Sequence, residues 1–211
     1  MYKKDKAMQC LICNKVVQDT FKSLISVSNK ICYECKNSFK IRNQIAWIDN
    51  VECLILYYYD EFFKDLLYRY KGCYDYVLKD AFIVYNKSYI KRKYKGYSIV
   101  LAPSSEISEL KRGFNHLEEV FKNLNMPIIK CFKKIKDWKQ SDKKKGERKD
   151  IQKVIKIDKR ALKGIKKVLI VDDVLTTGST IKTMIKQIPQ NIDKKVLVLS
   201  SNCRLLANEI I

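Results

Sequence analysis

Two neighbouring carboxylates, Asp172 and Asp173, stand where an apolar run gives way to a loop rich in hydroxyl groups. The run is Val-Leu-Ile-Val at 168–171, and the loop residues are Thr176, Thr177, Gly178, Ser179 and Thr180. The backbone N–H groups of such a loop, at the start of a helix, suit a phosphate. The adjacent carboxylates can accept hydrogen bonds from sugar hydroxyls. The pattern lacks the lysine of a Walker site and predicts a site for a ribose 5-phosphate.

A second group of reactive side chains lies near the N-terminus. Cys10 and Cys13 form one pair with two residues between them, and Cys32 and Cys35 form another, eighteen residues further on. Two pairs at this spacing are typical of a zinc site. Four thiolates complete a tetrahedral shell at about 2.3 Å per bond, so the predicted zinc is structural. A disulfide pairing is disfavoured because no secretion signal precedes the cysteines.

The remaining four cysteines are scattered singly among apolar or aromatic residues. They are Cys53, Cys73, Cys131 and Cys203. No histidine is near any of them in sequence. We expect them to be small buried hydrophobic side chains.

The chain of 211 residues carries 43 Lys and Arg against 23 Asp and Glu, a net charge of +20. Residues 130–167 hold a net +12 and residues 64–97 a net +6. The first stretch contains Lys143-Lys144-Lys145 and reads as a long loop. The excess favours an anionic partner, which could be nucleic acid, nucleotide phosphates or an acidic membrane surface. Solvated lysine without a partner is the alternative explanation.

The elements that would position these residues alternate between strands and helices. The predicted strands are 51–59, 98–102, 128–131, 167–171 and 195–199. The predicted helices follow Asp60 as N-cap, and lie at about 76–90, 114–124 and 179–188. Such alternation predicts an α/β fold with a mostly parallel sheet flanked by helices. We expect a zinc-binding module at 1–48 and one larger domain at 49–211.

Eleven of the thirteen tyrosines lie between Tyr57 and Tyr97, among basic residues. Exposed rings beside a basic groove can stack on the bases of single-stranded nucleic acid. Tyr68, Tyr74 and Tyr94 are the best candidates for stacking. Tyr57, Tyr70 and Tyr85 are interpreted as core.

The loop around Asp172 and Asp173 resembles the phosphoribosyl pyrophosphate motif of type I phosphoribosyltransferases. The resemblance implies a phosphoribosyltransferase-like sheet and assigns the two aspartates to the ribose hydroxyls. It assigns Thr176 to Thr180 to the 5-phosphate. Magnesium would be carried mainly by the pyrophosphate of the ligand, and Ser104 and Ser105 would belong to the pyrophosphate loop.

With the four cysteines added, the chain is similar to the ComF family of competence proteins. The shared features are Leu66-x4-Lys71-Gly72, Arg112-Gly113-Phe114-Asn115, Gln140-x7-Arg148 and the aspartate loop. The family motif that begins at Arg112 usually ends in glutamine, and here it ends in His116. The resemblance makes Lys71, Arg112, Gln140 and Arg148 candidates for the pyrophosphate and the flexible loop over the ligand.

The resemblance implies a DNA-uptake factor of natural transformation that binds phosphoribosyl pyrophosphate and single-stranded DNA. Its partners would be other competence proteins such as the ComF helicase. An active phosphoribosyltransferase with an unknown acceptor and a non-catalytic ligand sensor are the alternatives. The sequence has no run of about 18 apolar residues and no secretory signal, so we expect a cytoplasmic protein with no membrane span.

Overall fold

The computed structural model describes residues 9–17, 30–135 and 154–202. Their centre is a six-stranded sheet in the order β1-β2-β8-β7-β3-β4. The strands are β1 (Ile41–Ile48), β2 (Val51–Tyr58), β3 (Ser98–Leu101), β4 (Ile128–Ile129), β7 (Lys167–Leu175) and β8 (Asp193–Ser201). Every neighbouring pair is parallel except β1 with β2. The predicted α/β fold with a mostly parallel sheet is confirmed.

Six α-helices in the described part of the chain accompany the sheet. They are α1 (Tyr33–Ser38), α2 (Glu61–Lys71), α3 (Lys87–Lys93), α4 (Glu106–Arg112), α5 (His116–Phe121) and α6 (Ser179–Gln187). The central strands β3, β7 and β8 bury nearly every side chain, as expected of parallel strands covered on both faces. No helix among the described residues is long and apolar enough to cross a membrane.

Helix α2 begins where the sequence predicts. The side chain of Asp60 accepts a hydrogen bond from the backbone N–H of Phe63 at 3.0 Å, which is the geometry of an N-cap. Phe63, Leu66, Leu67 and Tyr70 form the buried stripe of the helix. This packing leaves the opposite face of α2 at the surface.

The single helix predicted at about 76–90 is wrong. A 3-10 helix covers Tyr76–Asp80, turns follow, and α3 begins only at Lys87. Ala81, Phe82 and Ile83 are buried one after another. An amphipathic helix buries one stripe and cannot bury three consecutive side chains, so the chain here takes an irregular path through the core.

The basic stretch 130–167 is not a plain loop. Strands β5 (Phe132–Ile135) and β6 (Val154–Ile157) pair antiparallel, with Phe132 opposite Ile157. A 3-10 helix at Lys159–Leu162 and the start of β7 follow. The lysine-rich run at 143–145, Gln140 and Arg148 lie outside the described residues.

The predicted boundary at residue 48 lies in the β1–β2 hairpin. Strand β1 is therefore an edge strand of the same sheet that carries the larger domain. The cysteine segment also packs onto that domain, because Arg69 donates a hydrogen bond to the carbonyl of Ile12 at 2.9 Å. The division into 1–48 and 49–211 remains a prediction.

Candidate functional site

The loops that follow β3 and β7 meet at one edge of the sheet. The two strands are parallel neighbours, with Leu101 beside Val171, so their carboxyl ends lie side by side. Ligands of open α/β sheets bind at this edge. Asp172 and Asp173 stand on β7, which continues to Leu175 rather than ending at Val171 as predicted.

A cleft of about 340 Å³ opens at this edge and brings together most of the predicted site. The predicted residues that line it are Lys71, Ser104, Ser105, Arg112, Asp172, Asp173 and Thr180. Pro103, next to the two predicted serines, also lines it. The lining further includes residues that the sequence did not assign to the site: Ala102, Ser108, His116, Leu117 and Lys134. Lys134 reaches the cleft from β5, so the basic hairpin borders it.

Asp173 is the centre of a buried charge network. Its Oδ2 lies 2.5 Å from Lys71 Nζ and 2.7 Å from His116 Nε2. Its Oδ1 accepts the backbone N–H of Val174 at 2.7 Å. Burial opposes ionisation of the carboxyl, but the His116 hydrogen bond and the Lys71 charge outweigh it and hold the pKa of Asp173 well below its usual range. Asp173 is therefore an ionised, positioned acceptor.

His116 links Asp173 to Arg112. Arg112 Nη2 lies 3.3 Å from His116 Nδ1, and an arginine can only donate. The accepting Nδ1 leaves the ring proton on Nε2, where it is donated to Asp173. Burial lowers the pKa of His116, in agreement with a neutral ring. The sequence alone did not predict a role for His116, because the residue it contacts, Asp173, is 57 residues away along the chain.

Arg112 has a hydrogen-bond donor that could bind an anionic ligand. Its Nε is buried and has no hydrogen-bond partner among the described residues. The two carboxylates that could have paired with Arg112 have other partners. Glu109 accepts from Ser104 and Asn115, and Glu119 from Tyr76 and Lys79.

Asp172 has a different environment from its neighbour. It is half-buried, and its Oδ1 accepts the backbone N–H of Asp173 at 2.9 Å. Burial, followed by the charge of Asp173, raises the pKa of Asp172 to about 7. Adjacent residues on one strand thus carry carboxyls whose pKa values are pushed in opposite directions, which is typical of functional sites.

The hydroxyl loop forms the N-terminus of α6. Gly178 has a φ of +72°, the left-handed region that favours glycine, and it is the N-cap residue. Thr176, Thr177 and Ser179 are exposed, and Thr180 is half-buried at the cleft. Thr180 is the loop residue that lines the cleft with the two aspartates, and the predicted residues Thr176, Thr177, Gly178 and Ser179 are not among its lining residues.

The four predicted zinc ligands come together. Their sulfur atoms all lie within 4.8 Å of one another, and Cys13 Sγ lies 3.6 Å from Cys32 Sγ. A tetrahedron with bonds of about 2.3 Å has edges of about 3.8 Å, so the cluster fits a tetrahedral ion. Cys10 Sγ accepts the backbone N–H groups of Ile12 at 3.5 Å and Cys32 at 3.3 Å. These donors stabilise the thiolate form that a metal requires.

The tyrosines and single cysteines divide between core and surface. Tyr57 and Tyr70 are buried, as predicted, and Tyr85 packs partly buried against the core. Tyr94 is also buried, so its predicted stacking role is wrong, whereas Tyr68 and Tyr74 are exposed. Cys53 and Cys131 are buried, Cys73 is exposed against expectation, and Cys203 lies outside the described residues.

Two relatives match most of the chain. Competence protein ComFC of Streptococcus pneumoniae is 26% identical over 92% of this chain and 99% of that protein. Competence protein ComFC of Bacillus subtilis is 26% identical over 82% of this chain and 85% of that protein. The chain matches no protein-family model.

Solved structures with partial overlap include two phosphoribosyltransferases. One is adenine phosphoribosyltransferase from Thermoanaerobacter pseudethanolicus, 18% identical, covering 59% of this chain and 83% of that chain with a TM-score of 0.34. The other is purine phosphoribosyltransferase from Pyrococcus horikoshii, 17% identical, covering 63% and 85% with a TM-score of 0.32. The chain is thus similar in sequence to ComFC proteins over most of its length.

Proposed function

We propose that the cleft binds phosphoribosyl pyrophosphate or a related sugar phosphate, in a cytosolic protein that serves DNA uptake in natural transformation. The assignment of this ligand rests on one observation: the aspartate pair lines the same cleft as Ser105, Lys71 and Arg112. The competence role rests on the two ComFC relatives. Other competence proteins, including the ComF helicase, are the proposed partners.

Each part of the ligand has a matching group. Asp172 and Asp173 would accept the ribose hydroxyls, and the loop from Thr176 to Thr180 would hold the 5-phosphate. Lys71, Arg112 and the loop at Ser104 and Ser105 would face the pyrophosphate. Asp173 already holds Lys71 and His116 on one oxygen, so the ribose would add to an existing network. Gln140 and Arg148 retain their proposed place in the flexible loop.

Magnesium fits this site as a companion of the ligand. Carboxylate oxygens such as those of Asp172 suit Mg²⁺, which usually keeps several waters and binds through substrate phosphates. When bound, the ion would neutralise part of the pyrophosphate charge.

Calorimetric titration tests the ligand. We expect phosphoribosyl pyrophosphate with magnesium to bind at one per chain, and ribose 5-phosphate to bind more weakly because it lacks the pyrophosphate. Arg112→Ala should weaken the first ligand more than the second. Equal affinity for both ligands, or no binding of either, would contradict the proposal.

Measurement of pyrophosphate release by the same protein distinguishes an active transferase from a non-catalytic ligand sensor. Release of pyrophosphate on addition of a nucleobase or another acceptor would indicate an active phosphoribosyltransferase. Tight binding without release would indicate a ligand sensor.

Single-stranded DNA is the second proposed ligand, and the charge distribution supports it. The net charge of +20 includes +6 within residues 64–97, a stretch that also holds the exposed Tyr68 and Tyr74. We expect the affinity for a labelled oligothymidine to fall with salt, with a log–log slope of about −0.7 per phosphate contact. Fluorescence anisotropy at several salt concentrations measures the slope. Absence of binding at low salt would refute this part of the proposal.

A further inference from the structure

A second groove lies on the exposed face of α2, beside the sugar-phosphate cleft. It has a volume of about 630 Å³. The residues that line it are Tyr59, Glu61, Lys64, Asp65, Leu67, Tyr68, Lys71, Gly72 and Arg112. Helical spacing from Glu61 to Lys71 places most of these side chains on one face of α2. Of these residues, Lys71 and Arg112 also belong to the proposed sugar-phosphate site, and the others do not.

The ring of Tyr68 lies beside Gly72 in this groove. A Cβ at position 72 would lie 3.0 Å from the Tyr68 ring carbon Cε2 and 3.0 Å from its carbonyl oxygen. The backbone of Gly72 has a φ of −99°, which any residue can adopt. A larger residue at position 72 would make a tight contact with Tyr68, which shows that the edge of the Tyr68 ring lies close to the Gly72 backbone. Tyr68 nevertheless remains 65% exposed.

Charge is distributed unevenly along the groove. At one end, Lys64 and Glu61 form an exposed ion pair with 3.6 Å between Nζ and Oε1. At the other end, Lys71 and Arg112 line both this groove and the sugar-phosphate cleft. Arg112 has neutral His116 as its partner, so its positive charge is not balanced by a carboxylate there. Lys71 is paired with Asp173, so Arg112 supplies the unbalanced positive charge at this end. The groove thus combines an open aromatic face with a cationic end.

A ligand that matches this arrangement has a flat ring and an anionic group next to it. A nucleotide satisfies both requirements, since its base can stack on an aromatic side chain and its phosphate can bind arginine and lysine. The groove is open along α2 rather than enclosed, which suits a strand that enters and leaves.

We infer that this groove binds one nucleotide of single-stranded DNA, with its base on Tyr68 and its phosphate towards Lys71 and Arg112. The inference rests on the proposed binding of single-stranded DNA and assigns it a location. It also places the strand next to the sugar-phosphate cleft, because the two sites share the same two cations.

Substitution of Tyr68 in the full chain tests this location. We expect Tyr68→Ala to weaken binding of labelled oligothymidine by about 5- to 150-fold, the range for loss of one stacked base. Tyr68→Phe should bind nearly as the unchanged protein, because the ring is kept. Tyr58→Ala is the matched control, since Tyr58 is 50% exposed and does not line the groove.

Photocrosslinking gives a readout that does not depend on affinity. An oligonucleotide with 5-iodouracil, irradiated on the unchanged protein, should attach to the peptide that contains Tyr68. Binding of phosphoribosyl pyrophosphate should be the same in Tyr68→Ala and the unchanged protein, which also shows that the variant is folded.

The outcomes separate this inference from the proposed function. If the unchanged protein binds no oligonucleotide, the proposed DNA binding itself fails and the inference fails with it. If the unchanged protein binds, but Tyr68→Ala binds equally well and the crosslink maps elsewhere, the inference alone is overturned.

Discussion

The variant Cys35→Ser is expected to bind no zinc at the four-cysteine cluster, where we expect one ion in the unchanged protein, and to melt at a temperature lower by about 10 °C or more. Three of the four thiols, those of Cys10, Cys32 and Cys35, are buried within the main hydrophobic core. A structural zinc contributes its binding free energy to folding, so its loss destabilises the segment that carries it. For a domain of 150–250 residues each kcal/mol shifts the melting temperature by about 2–4 °C, so a loss of a few kcal/mol gives this shift.

The effect should extend beyond the cysteine segment. Arg69 of α2 donates to the carbonyl of Ile12 at 2.9 Å, and Lys30 pairs with Asp80 at 3.3 Å. These contacts tie both cysteine pairs to the larger domain. We therefore expect one cooperative transition at a lower temperature rather than separate melting of the N-terminal segment.

Elemental analysis and scanning calorimetry measure the two consequences. The unchanged protein should hold one zinc per chain, and Cys35→Ser none. Cys73→Ser is the control, because Cys73 is an exposed thiol outside the cluster. If the unchanged protein holds no zinc, or if Cys35→Ser melts as Cys73→Ser does, the assignment of a structural zinc is wrong.

Sequence patterns predicted the elements with a clear apolar signal. The helical stripe on α2 and the continuous apolar run of β7 are such signals, and both elements begin where expected. Helix α4 was not predicted because it buries no residue, so no apolar stripe marks it. Strands β5 and β6 were not predicted because lysines interrupt their short apolar pattern, although Phe132 and Ile155 are buried.

The candidate site shows the same division. The aspartates and the loop from Thr176 to Thr180 are contiguous, and their chemistry is readable from the sequence alone. The contacts of Asp173 with Lys71 and His116 span 102 and 57 residues. Such contacts depend on which loops the sheet topology brings together, and a single sequence does not specify them.

Substitution of asparagine for Asp172 or Asp173 should shift the melting temperature of the ligand-free protein in opposite directions. Asp173→Asn removes the carboxylate that holds Lys71 and His116, and breaking a buried ion pair costs about 3–5 kcal/mol. The Lys71 side chain is 33% exposed and can partly rehydrate, so we expect a loss of about 2–4 kcal/mol. Thermal melting at neutral pH should show a lower melting temperature.

Asp172→Asn should instead raise the melting temperature at pH 8. Burial and the charge of Asp173 raise the pKa of Asp172 to about 7, above its ordinary value of 3.8. Between these two pH values the unfolded chain loses the proton and the folded chain keeps it, so this group's contribution to stability falls as the pH rises. Asparagine has no such penalty. The gain should therefore grow from pH 4 to pH 7 and vanish below pH 4.

Both variants should nevertheless bind phosphoribosyl pyrophosphate about 10- to 150-fold more weakly. Each loses a charged acceptor for a ribose hydroxyl, and hydrogen bonds to charged groups contribute about 1.5–3 kcal/mol. Asp193→Asn is the control, since Asp193 is an exposed residue at the start of β8 and does not line the cleft. Calorimetric titration of all three variants decides the matter. If Asp172→Asn is more stable yet binds the ligand poorly, Asp172 serves binding at the expense of stability. If Asp172→Asn binds with unchanged affinity, Asp172 is not part of the proposed ribose site.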